Sequence, residues 1–406
     1  MFTFVDRMEN IETLIPLPSE RVEALLLRHR IPPASVLVLK NGQPVSESHR
    51  IDPAAEYVAA LIEGYDIGTI RSTYERLKGD LAEEAVAYAK KRLSFTQIGS
   101  LNAETASLLL SEVAALVEST VVETCQEFDL IQEGDGVLLG LSGGVDSSSL
   151  LLALTAARSH LFKFRLVAVT FEDFDSQNSP AFQHAAELAK SLDVEYHVAP
   201  AGLAEEIFHL NTPLREVLPS LMNTPFVHHV MYIDHHTTRR TLEVFAEKQG
   251  LNKITLGLHT TDLVGGLLNG WMTGYDIADI PARQMGGVTY IYPLAFVPKR
   301  ELHLYHLHRI GKLARHTNPN AWEKNPTDRN FYYYLADILQ SYWPGLETML
   351  FTAHNLRQHG KPPLNYEQCQ NCRALILPQP LSEVAGELCD ACTVLDQAGY
   401  ISGKVS

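Results

Sequence analysis

The sequence has neither a long apolar run nor an excess of basic residues. A membrane helix needs about 18 uninterrupted apolar residues, and no window of the chain offers them. The opening segment, MFTFVDRMENIE, carries acidic residues where a secretion signal has a basic and then an apolar run. Lysine and arginine total 33 against 48 aspartates and glutamates, which gives a net charge of −15. We therefore expect a cytoplasmic protein without membrane contact, whose contacts with any nucleic acid come from a local patch.

Cysteine is scarce as well, and its placement argues against a disulfide framework. Four of the five cysteines form two Cys-x2-Cys pairs, which are separated by sixteen residues. This spacing is typical of a tetrahedral zinc site in a reducing compartment; an iron–sulfur cluster or a dithiol redox pair is the alternative. We expect a zinc ribbon over residues 360–397, with Zn²⁺ held by Cys369, Cys372, Cys389 and Cys392.

One short stretch carries a strong chemical signal. Residues 137–154, VLLGLSGGVDSSSLLLAL, predict a buried parallel strand, a glycine turn and the start of a helix. Glycine lets the backbone approach a ligand closely, and the free N–H groups of a first helical turn favour an anion. Serine hydroxyls add donors, and Asp146 can hold Mg²⁺ against phosphates. The pattern lacks the Lys-Ser/Thr end of the Walker loop. The predicted phosphate-binding residues, called the glycine loop below, are Ser142, Gly143, Gly144, Val145, Asp146, Ser147 and Ser148.

The pattern of apolar segments predicts the architecture around this loop. Residues 129–350 alternate apolar strands (VLLGL, RLVAVTF, VEYHVA, KITLGL, YIYPL) with helical stretches. This alternation predicts an α/β fold with a doubly wound parallel sheet. Such sheets bind nucleotides at the carboxyl edge of the strands, where the glycine loop would lie. Residues 71–128 are expected to form a helical linker, with helices near 74–93 and 103–128.

Residues 1–70 form a separate predicted unit. FTFVDR predicts a strand, SERVEALLLRHRI an amphipathic helix, and ASVLVLKNGQPV a hairpin with an Asn-Gly turn. The order of these elements resembles the β-grasp, ubiquitin-like sulfur carriers, whose free C-terminal Gly-Gly becomes a thiocarboxylate. The corresponding end here reads EGYDIGTI, without Gly-Gly. This departure favours a docking or oligomerisation module over a working carrier.

The glycine loop resembles the SGGxDS loop of the ATP pyrophosphatase (PP-loop) superfamily. The stretches LGLHTTDLVGGLLNG (256–270), YPLAFVPKRELHLY (292–305) and the cysteine tail resemble its 2-thiouridine and 2-thiocytidine tRNA thiolases. The resemblance implies an adenine nucleotide α-hydrolase-like fold that binds ATP and transfers AMP to a carbonyl oxygen. It also implies that the nucleotide is lined by Val169, Thr170, Phe171, Gly257 and Asp262. Asp262 is equally well explained as a helix N-cap.

The departures from the thiolases fall where those enzymes carry cysteines for an iron–sulfur cluster or a sulfur relay. The corresponding positions are approximately Tyr232, His235 and Thr317. With no thiol predicted near the nucleotide, we expect ATP, Mg²⁺ and Zn²⁺ as cofactors and no iron–sulfur cluster. A histidine-rich segment, 228–240, stands there instead. It predicts His235 as a general base and Arg239 and Arg240 as phosphate-neutralising groups; a metal site or a polar surface loop is the alternative.

The sequence thus predicts an ATP-dependent adenylating transferase. The resemblance to the thiolases implies tRNA thiolation as the favoured reaction, linked to a ubiquitin-like sulfur carrier or its activating enzyme, and we expect a homodimer. The second hypothesis is an amide-forming or nitrogen-transferring ligase of the same superfamily, which needs no cysteine chemistry. The third is a scaffold in which the nucleotide site only senses ATP; the intact glycine loop argues against it.

Overall fold

The computed structural model describes residues 1–5, 11–46, 48–61, 103–173, 179–222, 224, 226, 230–273, 278–311, 332, 335–336, 339–340, 345–359, 367–376 and 387–402. The chain folds into two compact units, one of residues 1–117 with 298–347 and one of residues 118–297 with 348–406. Among the described residues, no helix is both long enough and apolar enough to span a bilayer.

The helices are α1 (Val22–Arg28), α2 (Ala103–Glu127), α3 (Val145–Ala157), α4 (Pro180–Ser191), α5 (Leu203–Phe208), α6 (Leu214–Leu221), α7 (Val230–Lys248), α8 (Thr260–Thr273), α9 (Lys299–Ile310), α10 (Leu346–His359) and α11 (Asp390–Gln397). The strands are β1 (Phe2–Val5), β2 (Ile11–Leu14), β3 (Val36–Lys40), β4 (Gln43–Pro44), β5 (Tyr57–Leu61), β6 (Gly136–Gly140), β7 (Arg165–Phe171), β8 (Glu195–Ala199), β9 (Lys253–Thr255), β10 (Ala282–Met285) and β11 (Val288–Ile291).

The first unit contains a five-stranded sheet in the order β2-β1-β5-β3-β4. Strand β1 runs parallel to β5, and the other neighbours are antiparallel. Phe4 of β1 and Leu26 of α1 lie in one apolar core, which explains the alternation of buried residues along β1. Asn41 and Gly42 join β3 to β4 with φ angles of 49° and 81°. These left-handed angles are the ones that a two-residue Asn-Gly hairpin turn requires, so the predicted hairpin is confirmed.

The second unit contains a six-stranded sheet in the order β10-β11-β9-β6-β7-β8. All neighbouring strands from β11 to β8 are parallel, and β10 is antiparallel at the edge. The predicted parallel α/β sheet is therefore confirmed. Strands β6 and β7 are almost wholly buried, as expected for a sheet covered on both faces. The strand order reverses beside β6, because β7 follows it on one side and β9 pairs with it on the other. The crevice at the carboxyl ends of β6 and β9 is the place where such sheets bind ligands.

The amino-terminal ends of β6 and β9 are joined by a buried ion pair. Lys253 Nζ lies 2.7 Å from Asp135 Oδ2, and Asn252 Nδ2 donates to Asp135 Oδ1 over 2.8 Å. Burial raises the pKa of Asp135, but the hydrogen bonds from Lys253, Asn252 and the Gln132 backbone outweigh it and leave the pKa below its ordinary value. The pair therefore stabilises the ionised carboxylate and the register of these strands.

An Asp135→Asn variant is expected to lose about 3 kcal/mol of unfolding free energy at neutral pH, because it leaves the Lys253 ammonium buried without its counter-charge. The folded-state pKa is lowered, so this stabilisation is present above the ordinary aspartate pKa of about 4 and is lost as the pH falls through the folded value. Urea unfolding between pH 3 and pH 7 measures the effect. The exposed Asp193→Asn is the control, and an equal loss in both variants would contradict the prediction.

The predicted and observed elements differ at β9, which ends at Thr255 rather than continuing through Leu258. The backbone leaves the sheet there because Gly257 packs directly against the backbone of Asp146 and Ser147. The predicted helix at 74–93 lies outside the described residues. The tail predicted as a zinc ribbon is described over residues 367–376 and 387–402, called the cysteine segment below.

Candidate nucleotide site and four-cysteine group

The glycine loop connects the end of β6 to α3 and is held by its own hydroxyl groups. The Ser142 backbone N–H donates to Ser147 Oγ over 3.2 Å, and the two serine hydroxyls lie 3.1 Å apart. The Leu141 N–H donates to the Val169 carbonyl over 2.8 Å, which fixes the loop against β7. Val145, Ser147 and Ser148 are buried. The loop is therefore a preformed turn, and the open first helical turn behind it suits an anion.

Two glycines of the site have no room for a side chain. Gly143 has φ +76°, and a Cβ there would lie 1.9 Å from the Ala181 carbonyl oxygen. A Cβ on Gly257 would lie 2.6 Å from the Asp146 carbonyl carbon. The start of α4 and the chain after β9 thus approach the loop so closely that only glycine fits. These contacts bring the loop, the first turn of α3 and the carboxyl end of β9 into one site.

A Gly257→Ala variant is expected to bind ATP–Mg²⁺ about 5- to 150-fold more weakly, since forcing a methyl group into such a contact costs about 1–3 kcal/mol and distorts the first turn of α3. Gly287→Ala is the matched control, because its added methyl group meets no atom within 4 Å. Equilibrium binding of a fluorescent ATP analogue, with thermal unfolding alongside, measures both. Equal affinity of the two variants would show that the contact does not shape the site.

His259 connects the two acidic residues predicted for the site. Its Nε2 lies 3.2 Å from Asp262 Oδ2 and 3.9 Å from Asp146 Oδ1. Its backbone N–H donates to Asp262 Oδ2, and its Nδ1 accepts from the Asp262 N–H. This is the reciprocal arrangement of a capping box, in which Asp262 is the partner at the third helical position rather than the N-cap itself. The arrangement places two carboxylates around one fully buried imidazole, and carboxylate oxygens are ligands that suit a hard divalent cation.

The residues predicted to receive adenine lie on β7 and are buried. Thr170 Oγ1 donates to the Leu141 carbonyl over 2.6 Å and accepts from the Tyr196 hydroxyl over 3.0 Å. The Phe171 ring packs edge-on against Phe245 of α7 at 5.9 Å. Val169 holds the glycine loop through its carbonyl group, as described above. The three residues border the site through β7, and their contact with a base stays a prediction.

An acidic cavity of about 340 Å³ opens beyond β7 and β8. Glu172, Asp173 and Glu205 lie on its wall. Burial raises the pKa of Asp173, whose carboxylate accepts from the backbone of Gly202 and Ala204. Three carboxyl groups and the single basic residue Arg215 make this wall a poor site for polyphosphate, so the glycine loop is the candidate phosphate site.

The three residues of α7 that the sequence predicts as catalytic differ in exposure and in hydrogen-bond partners. His235 is exposed. Arg239 lies 3.5 Å from the carboxylate of Glu243, and Arg240 lies 3.0 Å from it. Arg240 Nε also donates to the Cys372 carbonyl over 2.7 Å. The two arginines therefore bind protein groups of α7 and of the cysteine segment, and their catalytic role stays a prediction. The neighbouring positions His228 and His229 lie outside the described residues.

The four predicted cysteine ligands come together. All four are buried, and their sulfur atoms lie within 4.8 Å of one another. The Cys389 N–H donates to Cys369 Sγ over 3.3 Å, and Asn371 Nδ2 approaches Cys392 Sγ to 3.3 Å. Hydrogen bonds from the other three thiols, with Cys369 first, lower the pKa of Cys389. The group is a complete thiolate ligand set with N–H donors around it, which suits a thiophilic metal centre.

Sequence reasoning missed two histidines of these sites. His236 was one of several in the histidine-rich segment, and nothing in the sequence distinguished it; its Nε2 lies 3.4 Å from Cys389 Sγ. His259 stands directly before a helix with Asp262 at the third position, and this local spacing was a usable signal for the cap.

Part of this chain is similar in sequence to known proteins. Residues 135–242 match the asparagine synthase family model. The tRNA-cytidine(32) 2-sulfurtransferase of Teredinibacter turnerae is 32% identical over 185 residues, which are 44% of this chain and 56% of the relative. That of Pseudomonas paraeruginosa is 27% identical over 189 residues, 45% of this chain and 63% of the relative. The chain thus spans about three fifths of these relatives' length.

A solved structure shares the fold. The U34-tRNA thiolase NcsA from Methanococcus maripaludis, solved with its [4Fe–4S] cluster, superposes with a TM-score of 0.53 at 17% identity. The match covers 71% of this chain and 89% of the thiolase.

The expected cofactor set, with Zn²⁺ and without an iron–sulfur cluster, is wrong. A thiolase of the same fold carries a [4Fe–4S] cluster, and the described residues of this chain contain a group of four buried thiols. The spacing of two Cys-x2-Cys pairs predicts a set of four cysteine ligands but not the metal, since iron–sulfur clusters are also held by four cysteines. The cysteine segment packs against α7 through Arg240 and His236, so thiols do lie beside the helix that carries Tyr232 and His235.

Residues 135–242, which contain the glycine loop, are thus similar to the asparagine synthase family, and the parallel α/β fold around them is shared with a solved tRNA thiolase.

Proposed function

We propose that this protein is an ATP-dependent tRNA sulfurtransferase. The observation that carries the proposal is the closed site at the β6–β9 crevice, where the glycine loop and Gly257 meet beside Asp146, His259 and Asp262. The similarity to tRNA-cytidine(32) 2-sulfurtransferases over 185 and 189 residues supports a pyrimidine in tRNA as the substrate.

The proposed reaction has two steps that balance without a redox change. The carbonyl oxygen of the pyrimidine attacks the α-phosphorus of ATP, and pyrophosphate leaves. Sulfide then adds to the activated carbon, and AMP leaves with the original oxygen while a proton is released. The glycine loop binds the pyrophosphate end, Asp146 and Asp262 hold Mg²⁺, and Val169, Thr170 and Phe171 border the adenine. His235, which is exposed on α7, stays the candidate base.

We further propose that Cys369, Cys372, Cys389 and Cys392 hold an iron–sulfur centre. The support is the buried thiolate set and its N–H donors. Such a centre supplies sulfur-handling or electron-transfer chemistry when bound. Iron and acid-labile sulfide analysis of anaerobically purified protein tests the assignment; stoichiometric zinc without iron would contradict it.

We propose that the N-terminal sheet is a β-grasp module that docks a sulfur-carrier protein. Its strand order β2-β1-β5-β3-β4, with β1 parallel to β5 and α1 on the core, supports this. The segment EGYDIGTI lies outside the described residues. A homodimer and a cytoplasmic location, where tRNA is available, belong to the same proposal; sedimentation velocity tests the dimer.

The decisive experiment incubates anaerobically purified protein with ATP, Mg²⁺, unmodified tRNA and either ³⁵S-sulfide or ¹⁵N-ammonia. Nucleoside mass spectrometry is expected to find a 2-thiopyrimidine, with pyrophosphate and AMP formed in equal amounts. Incorporation of ¹⁵N without ³⁵S would replace the proposal by the nitrogen-ligase hypothesis. ATP binding without pyrophosphate release, whichever nucleophile is added, would favour a scaffold that senses ATP.

A further inference from the structure

His236 links helix α7 to the four-cysteine group. Its Nε2 lies 3.4 Å from Cys389 Sγ and 3.8 Å from Cys372 Sγ. Its Nδ1 lies 3.1 Å from Arg239 Nη2. The imidazole is 4% exposed, so water does not compete for these contacts. A side chain outside the cysteine segment thus approaches two of the four sulfur atoms.

The two contacts together define the tautomer of this imidazole. A guanidinium can only donate hydrogen bonds, so His236 Nδ1 has to accept from Arg239. The ring hydrogen is then on Nε2, where it points toward the sulfur atoms. The ring plane is held by Tyr232, stacked at 5.8 Å, and by Phe208, edge-on at 6.0 Å. The arrangement fixes the imidazole as an N–H donor toward the Cys389 sulfur.

We propose that His236 is a positioning residue for the metal centre that the four-cysteine group holds, donating a hydrogen bond from Nε2 to the Cys389 thiolate. A hydrogen bond to a coordinating sulfur stabilises the negative charge on that sulfur, slows metal loss and raises the reduction potential of an iron centre. Arg240 supports the same junction by binding the Cys372 carbonyl. The inference rests on the proposed metal centre but not on sulfur transfer to tRNA.

Two variants and one control test this role. His236→Phe keeps an aromatic ring but removes the donor, and His236→Gln keeps an N–H donor. His160→Phe makes the same chemical change at an exposed histidine. The metal-loaded full-length proteins are mixed with excess chelator, and metal release is followed by absorption. The midpoint potential is measured by redox titration of the same samples, and circular dichroism checks folding.

We expect His236→Phe to release metal about 10- to 100-fold faster than the wild type and to have a more negative midpoint potential. His236→Gln is expected to release metal within a few-fold of the wild-type rate, and His160→Phe at the wild-type rate. Metal release at the wild-type rate by a folded His236→Phe variant would overturn the proposal. Equally fast metal release by both His236 variants would also overturn it, because packing of the ring and not the hydrogen bond would then retain the metal. Protein that takes up no metal would also overturn it. If the His236→Phe variant releases metal faster but the wild-type protein does not thiolate tRNA, the role of His236 is supported and only the proposed reaction is refuted.

Discussion

Replacing Asp146 by asparagine is expected to slow pyrophosphate release by at least about 100-fold, within the range for loss of one electrostatic contact to a transition state. Asp146 lies in the first turn of α3, with Oδ1 3.9 Å from His259 Nε2. Asparagine keeps the shape of the side chain but removes the negative charge that would hold Mg²⁺ against the phosphates. The variant is therefore expected to fold normally and to fail in the adenylation step.

The measurement is a coupled pyrophosphate assay with tRNA and saturating ATP–Mg²⁺, and the isosteric control is Glu187→Gln on the exposed face of α4. The Glu187→Gln control is expected to release pyrophosphate at the wild-type rate. Release by Asp146→Asn within threefold of the control would show that this carboxylate neither binds the metal nor stabilises the reaction, and would move the metal site elsewhere.

The double variant Cys389→Ser/Cys392→Ser is expected to lose the metal. The end of the cysteine segment is then expected to detach from residues 209–211, against which it pairs. The segment has little core of its own, so metal binding supplies much of its folding free energy. Its end is held by backbone pairing: Leu210 pairs with Ile401, the Asn211 N–H donates to the Tyr400 carbonyl over 3.0 Å, and the Ser402 N–H donates to the His209 carbonyl over 2.8 Å. Without the metal these contacts do not compensate for the lost chain entropy.

Metal analysis and limited proteolysis followed by mass spectrometry test this expectation. New cleavage is expected within residues 387–402, while the α/β core stays resistant. Cys125→Ala is the control, because burial raises the pKa of this thiol to about 12 and makes it a poor ligand. Full metal content in the double variant would show that the metal is bound by other residues.

Local patterns account for the parts of the fold that sequence reasoning predicted. The strand–glycine–helix pattern of residues 137–154 requires only a buried strand, a turn with Gly143 in the left-handed region and a helix start. The Asn41-Gly42 hairpin is equally local, since its turn angles are set by the two residues themselves. The end of β9 was predicted too late, because the contact of Gly257 with Asp146 is not visible in a hydropathy pattern.

By itself, the sequence determined the strand–glycine loop–helix unit, the parallel α/β sheet and the two cysteine pairs, because each depends on residues close together in the chain or on a repeated apolar period. Only the tertiary structure decided which side chains surround those ligands. His236 and Cys389 are 153 positions apart, and they meet because the cysteine segment packs on α7. His259 joins Asp146 for the same kind of reason, since β9 pairs with β6 and brings α8 to the first turn of α3. Such contacts depend on how buried surfaces pack rather than on local backbone preference, and a single sequence does not contain that information in readable form.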